Sequence, residues 1–307
     1  MASSWKESQQ SDPHRQNREH QSAITIIHNL LNDNATTSEQ AARDITSNYE
    51  PCLLAGKTDL SSLWYLICLV VLDPATTDQN LEKLVEMLVH ISRSPDVVID
   101  GKVVKENGRE YWHDLPELSF WFMEYALSLY TIESIDEGRT RITWSEYARQ
   151  FQVANRFGAI LLNSIDPNIA PKVLRGFRQL ALETIRDALE VSIESPAQIR
   201  RAGIHIPAAA QWFLHASPQI WAFSRDKEGY EGEKIWKEWL GGSDGSKPTW
   251  VGDDGFSVER WLFWKEQFVE VLEVEERGGR VIENIISHAR RAVEAMNDAE
   301  QGNTIKP

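Results

Sequence analysis

The chain has 307 residues, of which 42% are apolar and 25% are charged, a composition typical of a globular protein with a sizeable core. Its formal net charge of −14 argues against nucleic acid as a partner, because binding to phosphates needs a basic face. The most apolar run, Leu63 to Leu72, is too short to cross a bilayer, so no membrane span is predicted.

Helical periodicity dominates the chain between two polar ends. We predict disordered tails over residues 1–20 and 299–307, with one helical domain over residues 21–298. Helical spacing or helix start and stop signals mark segments near residues 24–31, 60–72, 78–94, 118–131, 143–163, 171–193, 207–216, 229–240, 257–276 and 281–297. This pattern predicts an all-α fold, an irregular packing of about nine to eleven helices in a single domain.

One stretch, residues 96–112, has the character of β-strands. Its short apolar runs are separated by Asp100-Gly101 and Asn107-Gly108, which are dipeptides that favour tight hairpin turns. We therefore expect one small hairpin or extended loop that lies over the helices.

The loop that follows contains His113 and Asp114 just before a predicted helix. These residues form either a capping loop or an acid–base pair, which would need a further partner such as His215 or Glu124. A His-Asp pair followed by Glu117 also resembles a set of metal ligands. No HExxH motif or second histidine pair accompanies it, so no metal site and no cofactor are predicted.

The helix that begins after Thr143 opens with a capping box, in which Thr143 and Glu146 satisfy backbone N–H groups. Its apolar face includes Tyr147 and Phe151, with Asn155 in the middle of that face. A buried amide must be hydrogen-bonded. Asn155 is either tied to a neighbouring helix or projects into a polar spot of a mostly apolar pocket.

The segment after Pro207 places three alanines before larger side chains. Gln211 and His215 lie one turn apart on one helix face, and Trp212 lies between them in the sequence. The two polar side chains either line a cavity or are satisfied within the core.

Tryptophan is abundant, with twelve residues in the chain. Its large apolar area and single N–H donor suit it either to fill a core or to form the wall of a ligand cavity. Trp261 and Trp264 form a stripe with Phe268 in the helix that begins near Ser257, while Arg260 is predicted to be a solvated flank. Core packing and a ligand wall both remain open for this stripe.

The run Asp253-Asp254-Gly255-Phe256-Ser257 begins like the magnesium-binding triad of helical terpene synthases. The closing carboxylate of that motif would fall at Trp261, and no DDxxD run occurs upstream, so we reject this assignment. Patterns of the P-loop and GxGxxG types are also absent.

Several segments together resemble a fungal helical family known as domain of unknown function 3632. They are 112–118, 155–162, 180–190, 206–215 and 256–265, and the resemblance extends from about residue 50 to 275. The resemblance implies a fungal source and an all-helical body, and it supplies no activity. Gly158-Ala159-Ile160 departs from relatives, which tend towards an Ala-Ala-Arg-like run at that point.

The sequence thus favours cofactor-independent binding or cyclisation of an apolar small molecule. The fungal source that the resemblance implies would place this activity in natural-product biosynthesis. The candidate catalytic residues are Asn155, Gln211, His215, His113 and Asp114. The predicted wall of the binding site consists of Trp64, Trp121, Tyr147, Phe151, Trp212, Trp261 and Trp264. The alternative is a helical protein–protein interaction module without catalysis.

Cys52 and Cys68 form no CxxC pair, and the polar N-terminus lacks an apolar signal region. Both features predict a cytoplasmic protein whose partner is an apolar small molecule or another protein.

Overall fold

The computed structural model describes residues 4–11, 17–56, 60–106, 108–127, 142–166, 168, 170–192, 196–229, 248–276 and 283–302. These residues contain eleven α-helices and few short strands, which confirms the predicted all-α class. The helices are α1 Ser4–Ser11, α2 Arg18–Asn32, α3 Ser38–Leu54, α4 Ser61–Leu72, α5 Asp78–Ser92, α6 Leu118–Phe122, α7 Trp144–Ser164, α8 Pro171–Leu189, α9 Pro196–Arg225, α10 Val258–Glu276 and α11 Glu283–Glu300. A π-helical segment, Met123–Leu127, follows α6 directly.

Threonine side chains define several of the helix starts. The Thr37 hydroxyl accepts the Gln40 backbone N–H of α3 at 3.1 Å, and the Thr77 hydroxyl accepts that of Asn80 in α5 at 3.3 Å. At α7, Thr143 accepts the N–H of Glu146 at 3.3 Å while the Glu146 carboxylate accepts the N–H of Thr143 at 2.9 Å. The predicted capping box is therefore confirmed.

The contacts divide the chain into two compact units, and unit 1 comprises Met1–Leu129 and Ser164–Gly176. In this unit α2 packs against α3, α4 and α5, and α4 packs against α6 and the π-helical segment. Helix α4 is apolar on nearly every side, with Leu63, Trp64, Ile67 and Val71 all buried. It therefore forms the centre of the core of unit 1.

Four short strands in unit 1 form two hairpins where the sequence predicts one. Val98–Ile99 (β1) pairs with Lys102–Val103 (β2), and Lys105–Glu106 (β3) pairs with Arg109–Glu110 (β4), both antiparallel. Asp100 and Gly101 have positive φ values of 50° and 76°, as a tight two-residue turn requires. Each hairpin consists of only two residue pairs.

Unit 2 comprises Tyr130–Asn163 and Phe177–Pro307. Here α9 packs against α10 and α11, which also pack against each other. The buried face of α11 is rich in alanine, which lets helices approach closely. Gly158 of α7 also serves a close contact, since a Cβ atom there would lie 2.8 Å from the Trp212 ring.

The region around Pro207 differs from the sequence prediction. The helix does not begin at Pro207 but at Pro196, and it contains both Pro207 and Pro218 before it ends at Arg225. Ala216 has non-helical angles (φ −138°, ψ 19°), so the helix kinks two residues before Pro218, where proline disfavours a regular helix. The predicted end at Ala216 thus corresponds to a kink.

The predicted chain ends differ as well. Residues 1–20 include α1 and the start of α2, in which Asn17 caps the N–H of His20 at 3.0 Å and Trp5 is buried. At the other end, α11 continues to Glu300, beyond the predicted limit at residue 298. Residues 303–307 and the predicted helix at 229–240, apart from Gly229, lie outside the described residues. The single domain over 21–298 stays a prediction.

Within the part of the chain that the structure describes, no helix combines the length and the apolarity that crossing a membrane requires.

Candidate functional site

Asn155 is the centre of a buried hydrogen-bond network in unit 2. Its Oδ1 accepts the Trp212 indole N–H at 2.7 Å and the Thr184 hydroxyl at 2.8 Å, and its Nδ2 donates to the Phe151 carbonyl at 2.8 Å. Asn155 and Trp212 are fully buried. The amide oxygen is thus shared by side chains of α8 and α9, which supports the structural interpretation of Asn155.

The predicted tryptophan stripe of α10 packs into an aromatic cluster in unit 2. Phe213 contacts Trp261, Trp264 and Phe268 with ring centroids 5.5, 6.2 and 5.5 Å apart. The indole of Trp261 donates to Glu300 at 2.8 Å. These rings are fully buried and touch one another, so in this arrangement they serve as core.

A buried ion pair lies beside this cluster. Arg260 binds both oxygens of Glu190 at 2.7 and 2.8 Å and donates to the Gly255 carbonyl at 2.7 Å, and Trp264 donates to Glu190 at 2.6 Å. Arg260 and Glu190 are 0% and 1% exposed. The prediction of Arg260 as a solvated flank is therefore wrong, because a carboxylate from the end of α8 neutralises it inside the core.

The other predicted residues of unit 2 lie in separate surroundings. Tyr147 and Phe151 are stacked at 5.9 Å, and Phe151 also contacts the buried ring of His205 at 5.1 Å. Gln211 is buried and donates to the Pro207 carbonyl at 3.3 Å, one turn back along α9. His215 is half-buried.

His113 and Asp114, which belong to unit 1, point to different partners. His113 Nδ1 is bonded to Asp96 and lies 3.5 Å from the Glu110 carboxylate. Asp114 is bonded to Lys172 at 2.6 Å and accepts the Glu110 backbone N–H at 2.8 Å. His113 and Asp114 therefore do not form an acid–base pair with each other. We call Asp96, Glu110 and His113 the His113 cluster, and its side chains are the ones that could act as ligands or as acid–base groups.

The Glu110 carboxylate in this cluster is readily ionised. A hydrogen bond from Lys105, whose Nζ lies 3.0 Å from Glu110 Oε1, holds the pKa of Glu110 below its usual value. The second oxygen, Oε2, is the one that faces His113.

Burial raises the pKa of the Cys68 thiol, so that thiol offers no reactive thiolate.

Four aromatic residues of unit 1, Tyr65, Phe120, Trp121 and Tyr125, form what we call the aromatic stack. Trp121 lies parallel to Tyr125 at 5.3 Å, with an angle of 14° between the rings, and Tyr125 meets the edge of Tyr65 at 4.6 Å. Phe120 contacts Trp121 at 5.4 Å and is 49% exposed. The stack thus reaches the surface, unlike the aromatic cluster of unit 2.

The hydrogen bonding of the indole N–H group distinguishes Trp121 from the other tryptophans of the predicted wall. Trp64 donates to the Pro116 carbonyl at 2.8 Å, and Trp212, Trp261 and Trp264 donate to the acceptors given above. Trp121 Nε1 is buried and has no hydrogen-bond partner among the described residues. The N–H of Trp121 is therefore a buried donor without an acceptor among the described residues, and it belongs to a ring of the aromatic stack.

The stack lies at an irregular point of the backbone. Trp121 is in the short helix α6, and Tyr125 is in the π-helical segment Met123–Leu127 that follows. Such π-helical turns occur often at functional sites, because the wider turn shifts the side chains that follow it.

Sequence reasoning missed Asp96 and Glu110 of the His113 cluster, and it missed Tyr65, Phe120 and Tyr125 of the aromatic stack. The two tyrosines had a signal, since Trp121 and Tyr125 are four residues apart, which places their rings on one helix face. Asp96 had no such signal, since its proximity to His113 depends on how the chain folds through two successive hairpins between them.

A family model described as "Protein of unknown function (DUF3632)" matches residues 64–268, which is more than half of the 307 residues. The match includes most of α4, the aromatic stack, the His113 cluster and the Asn155 network. No curated protein and no solved structure matches the chain. The chain therefore belongs to the family of proteins of unknown function DUF3632.

Proposed function

We propose that the protein binds an apolar small molecule at the aromatic stack of unit 1, without using a cofactor there. The observation that carries this proposal is the buried indole N–H of Trp121, which has no acceptor among the described residues. An unsatisfied buried donor costs on the order of 1–3 kcal/mol. A ligand that offers an acceptor at this position would recover that free energy.

The surroundings of this donor define the class of ligand. Trp121 and Tyr125 present parallel rings, and the exposed Phe120 extends the apolar surface towards solvent. Aromatic surfaces bind flat apolar groups by stacking, and a single N–H donor selects a carbonyl or ether oxygen on that group. The ligand that fits is a flat, mostly apolar molecule with one such oxygen.

The indole N–H of Trp121 could also assist catalysis of a cyclisation, which is the catalytic alternative to simple binding. A hydrogen bond to a carbonyl polarises it, and a stacked ligand is held in a restricted conformation, which together favour a cyclisation. We place this activity in the cytoplasm of a fungus, within natural-product biosynthesis. Cys52 and Cys68 form no disulfide, in keeping with a reducing compartment.

A fluorescent ketone tests the binding site directly. Prodan, a flat naphthalene with one carbonyl, shifts its emission to the blue when it enters an apolar site. We expect saturable binding to the wild-type chain and about tenfold weaker binding to Trp121→Phe, which keeps a ring and loses the N–H.

Trp144→Phe is the matched control, because Trp144 is half-buried at the start of α7 and does not belong to the stack. Its affinity for prodan should equal that of the wild type. Equal affinity of Trp121→Phe and the wild type would contradict the proposal, as would the absence of saturable binding to the wild type.

The biological ligand requires material from the native host. Native mass spectrometry of the protein purified from that host should show an added small-molecule mass that Trp121→Phe retains less well. Deletion of the gene should change at least one metabolite. A deletion strain with an unchanged metabolite profile would exclude the cyclisation.

The outer face of α10 favours a second candidate function, as an interaction module for a basic amphipathic helix. Leu262 and Val269 are 51% and 37% exposed on this face. Exposed glutamates surround them, at Glu259, Glu266, Glu270 and Glu273. Apolar residues in an acidic setting match a helix with one apolar face and flanking lysines.

A synthetic amphipathic helix of leucine and lysine tests this candidate. Its binding should weaken in Leu262→Ser and at high salt, whereas Leu54→Ser, an exposed leucine on α3, should have no effect. Binding that Leu262→Ser leaves unchanged would exclude this face as the docking site.

A further inference from the structure

We propose that Asp96, Glu110 and His113 bind one divalent transition-metal ion, with Zn²⁺ as the best match. Each residue offers one ligand atom, and these three atoms lie within 4.8 Å of one another. The site does not involve the aromatic stack and goes beyond the function proposed above. It is a second, chemically different site in unit 1.

The two hairpins bring the three residues together. Asp96 lies just before β1, and the Val104 N–H donates to the Val97 carbonyl at 2.8 Å, which holds the two ends of the β1–β2 hairpin together. Glu110 ends β4, and the chain then turns once, with the Asp114 N–H donating to the Glu110 carbonyl at 3.2 Å. This turn places Glu110 and His113 on one side.

Asp96 is oriented before any ion binds. Its Oδ1 accepts the backbone N–H groups of Trp112 at 2.8 Å and of His113 at 3.4 Å, so Oδ2 is the oxygen that faces the cluster. The Asp96 side chain is only 3% exposed. Outer contacts that fix a ligand in this way are typical of metal sites.

Glu110 and the backbone around it are held in a similar way. The Glu110 N–H donates to Asp114, which is bonded to Lys172, and Lys105 occupies Glu110 Oε1. Glu110 Oε2 is thereby directed towards His113 Nδ1, at 3.5 Å. Ligands about 2.0–2.1 Å from a tetrahedral Zn²⁺ lie roughly 3.3 Å from each other, so the separation of Glu110 and His113 suits coordination by one ion. Asp96 Oδ2 is instead hydrogen-bonded directly to His113 Nδ1, and the ion would take the place of that hydrogen bond.

A metal ion stabilises the two carboxylates and the imidazole of the His113 cluster better than a single proton does. A proton on His113 Nδ1 can be donated to only one of the two carboxylates that face it, whereas a divalent cation interacts with both and with the imidazole. Two carboxylate oxygens and one imidazole nitrogen favour Zn²⁺ and its neighbours over Mg²⁺, which prefers oxygen ligands alone. Glu110 and His113 are 30% and 38% exposed, so an ion can enter.

Calorimetric titration of the full-length chain with ZnCl₂, after removal of metals with EDTA, tests the site. We expect one equivalent of Zn²⁺ to bind per chain, and MgCl₂ to give no comparable heat. Loss of one of three ligands should weaken Zn²⁺ binding by at least about tenfold in His113→Gln and in Glu110→Gln.

Asp100→Asn is the control, because it removes an exposed carboxylate from the β1–β2 turn of the same region without touching the cluster. Its affinity for Zn²⁺ should be unchanged. Wild-type affinity in His113→Gln, or no stoichiometric binding by the wild type, would overturn the proposal.

Cobalt provides a readout that does not depend on affinity alone. Co²⁺ in a tetrahedral site gives visible absorption bands that are much stronger and at longer wavelength than those of Co²⁺ in water, and these strong bands should be absent in His113→Gln. Circular dichroism of each variant confirms that it is folded. Visible bands that persist in a folded His113→Gln would contradict coordination by this histidine.

Discussion

Asn155 shows how one polar side chain can organise a helical core. Its amide oxygen accepts hydrogen bonds from Trp212 and Thr184, while its amide nitrogen is bonded to the Phe151 carbonyl of its own helix. A single residue thus satisfies polar groups from three helices, in a region where water is excluded.

Removal of this amide should be costly. Asn155→Ala leaves the Trp212 N–H and the Thr184 hydroxyl buried without an acceptor, so we expect a loss of about 2–5 kcal/mol in the free energy of unfolding. Asn163→Ala, an exposed asparagine on the same helix, should change it by less than about 0.5 kcal/mol. Urea unfolding measures both, and equal stability of the two variants would contradict the role of Asn155.

His288 should make the protein sensitive to acid. Its Nδ1 donates to the Asn284 carbonyl at 2.7 Å, and its Nε2 lies 2.8 Å from Gln152 Nε2. Burial lowers the pKa of His288 below its ordinary value of 6.5. The unfolded chain therefore binds the proton more readily, and stability is lost as the pH falls below about 6.5.

Substitution by glutamine removes this titration. From pH 7 to pH 5, His288→Gln should lose less stability than the wild type, as measured by thermal unfolding at each pH. A pH profile of His288→Gln that coincides with that of the wild type would show that this histidine does not titrate with folding.

At the level of elements, the Glu190–Arg260 pair joins the end of α8 to the first turn of α10. Because both side chains are almost wholly buried, replacement of either one leaves the other charge without a partner. Glu190→Gln should therefore lower the free energy of unfolding by about 3–5 kcal/mol.

A surface pair serves as the control. Glu39 and Arg43 lie 2.5 Å apart on α3 with side chains 60% and 55% exposed, and Glu39→Gln should change stability by less than about 1 kcal/mol. High salt should reduce the effect of Glu39→Gln and not that of Glu190→Gln. Similar costs for the two substitutions would mean that the buried pair contributes little to folding.

The elements themselves were largely predictable, and their partners were not. The capping box at Thr143 predicted the start of α7, and apolar periodicity with start signals at Asp78 and Ser257 predicted those of α5 and α10, because these signals act within a few residues. Pro207 misled the prediction, because a proline often opens a helix and here lies inside one.

The candidate sites show the same difference between local features, which the sequence predicts, and tertiary partners, which it does not. That Trp121 and His113 merit attention could be predicted from residue type, whereas Asp96, which is 17 residues from His113, could not be paired with it. Arg260 and Glu190 are 70 residues apart, so periodicity alone made Arg260 appear exposed. Such pairings depend on tertiary packing, which a local pattern does not contain.

At the scale of the whole molecule, the two compact units use their aromatic residues differently. In unit 2, Trp212, Trp261 and Trp264 are buried and their N–H groups are bonded to Asn155, Glu300 and Glu190, respectively. In unit 1 the aromatic stack reaches the surface, and the indole of Trp121 has no acceptor among the described residues. This difference locates the proposed binding of a small molecule in unit 1.

The ¹H–¹⁵N spectrum of the indole N–H groups, recorded with and without prodan, tests this claim most directly. The Trp121 resonance can be assigned by its loss in Trp121→Phe. We predict that prodan moves this resonance downfield in the proton dimension, as a new hydrogen bond requires, while the resonance of Trp64, already bonded to Pro116, stays in place. Binding of prodan that leaves the Trp121 resonance unmoved would contradict the account.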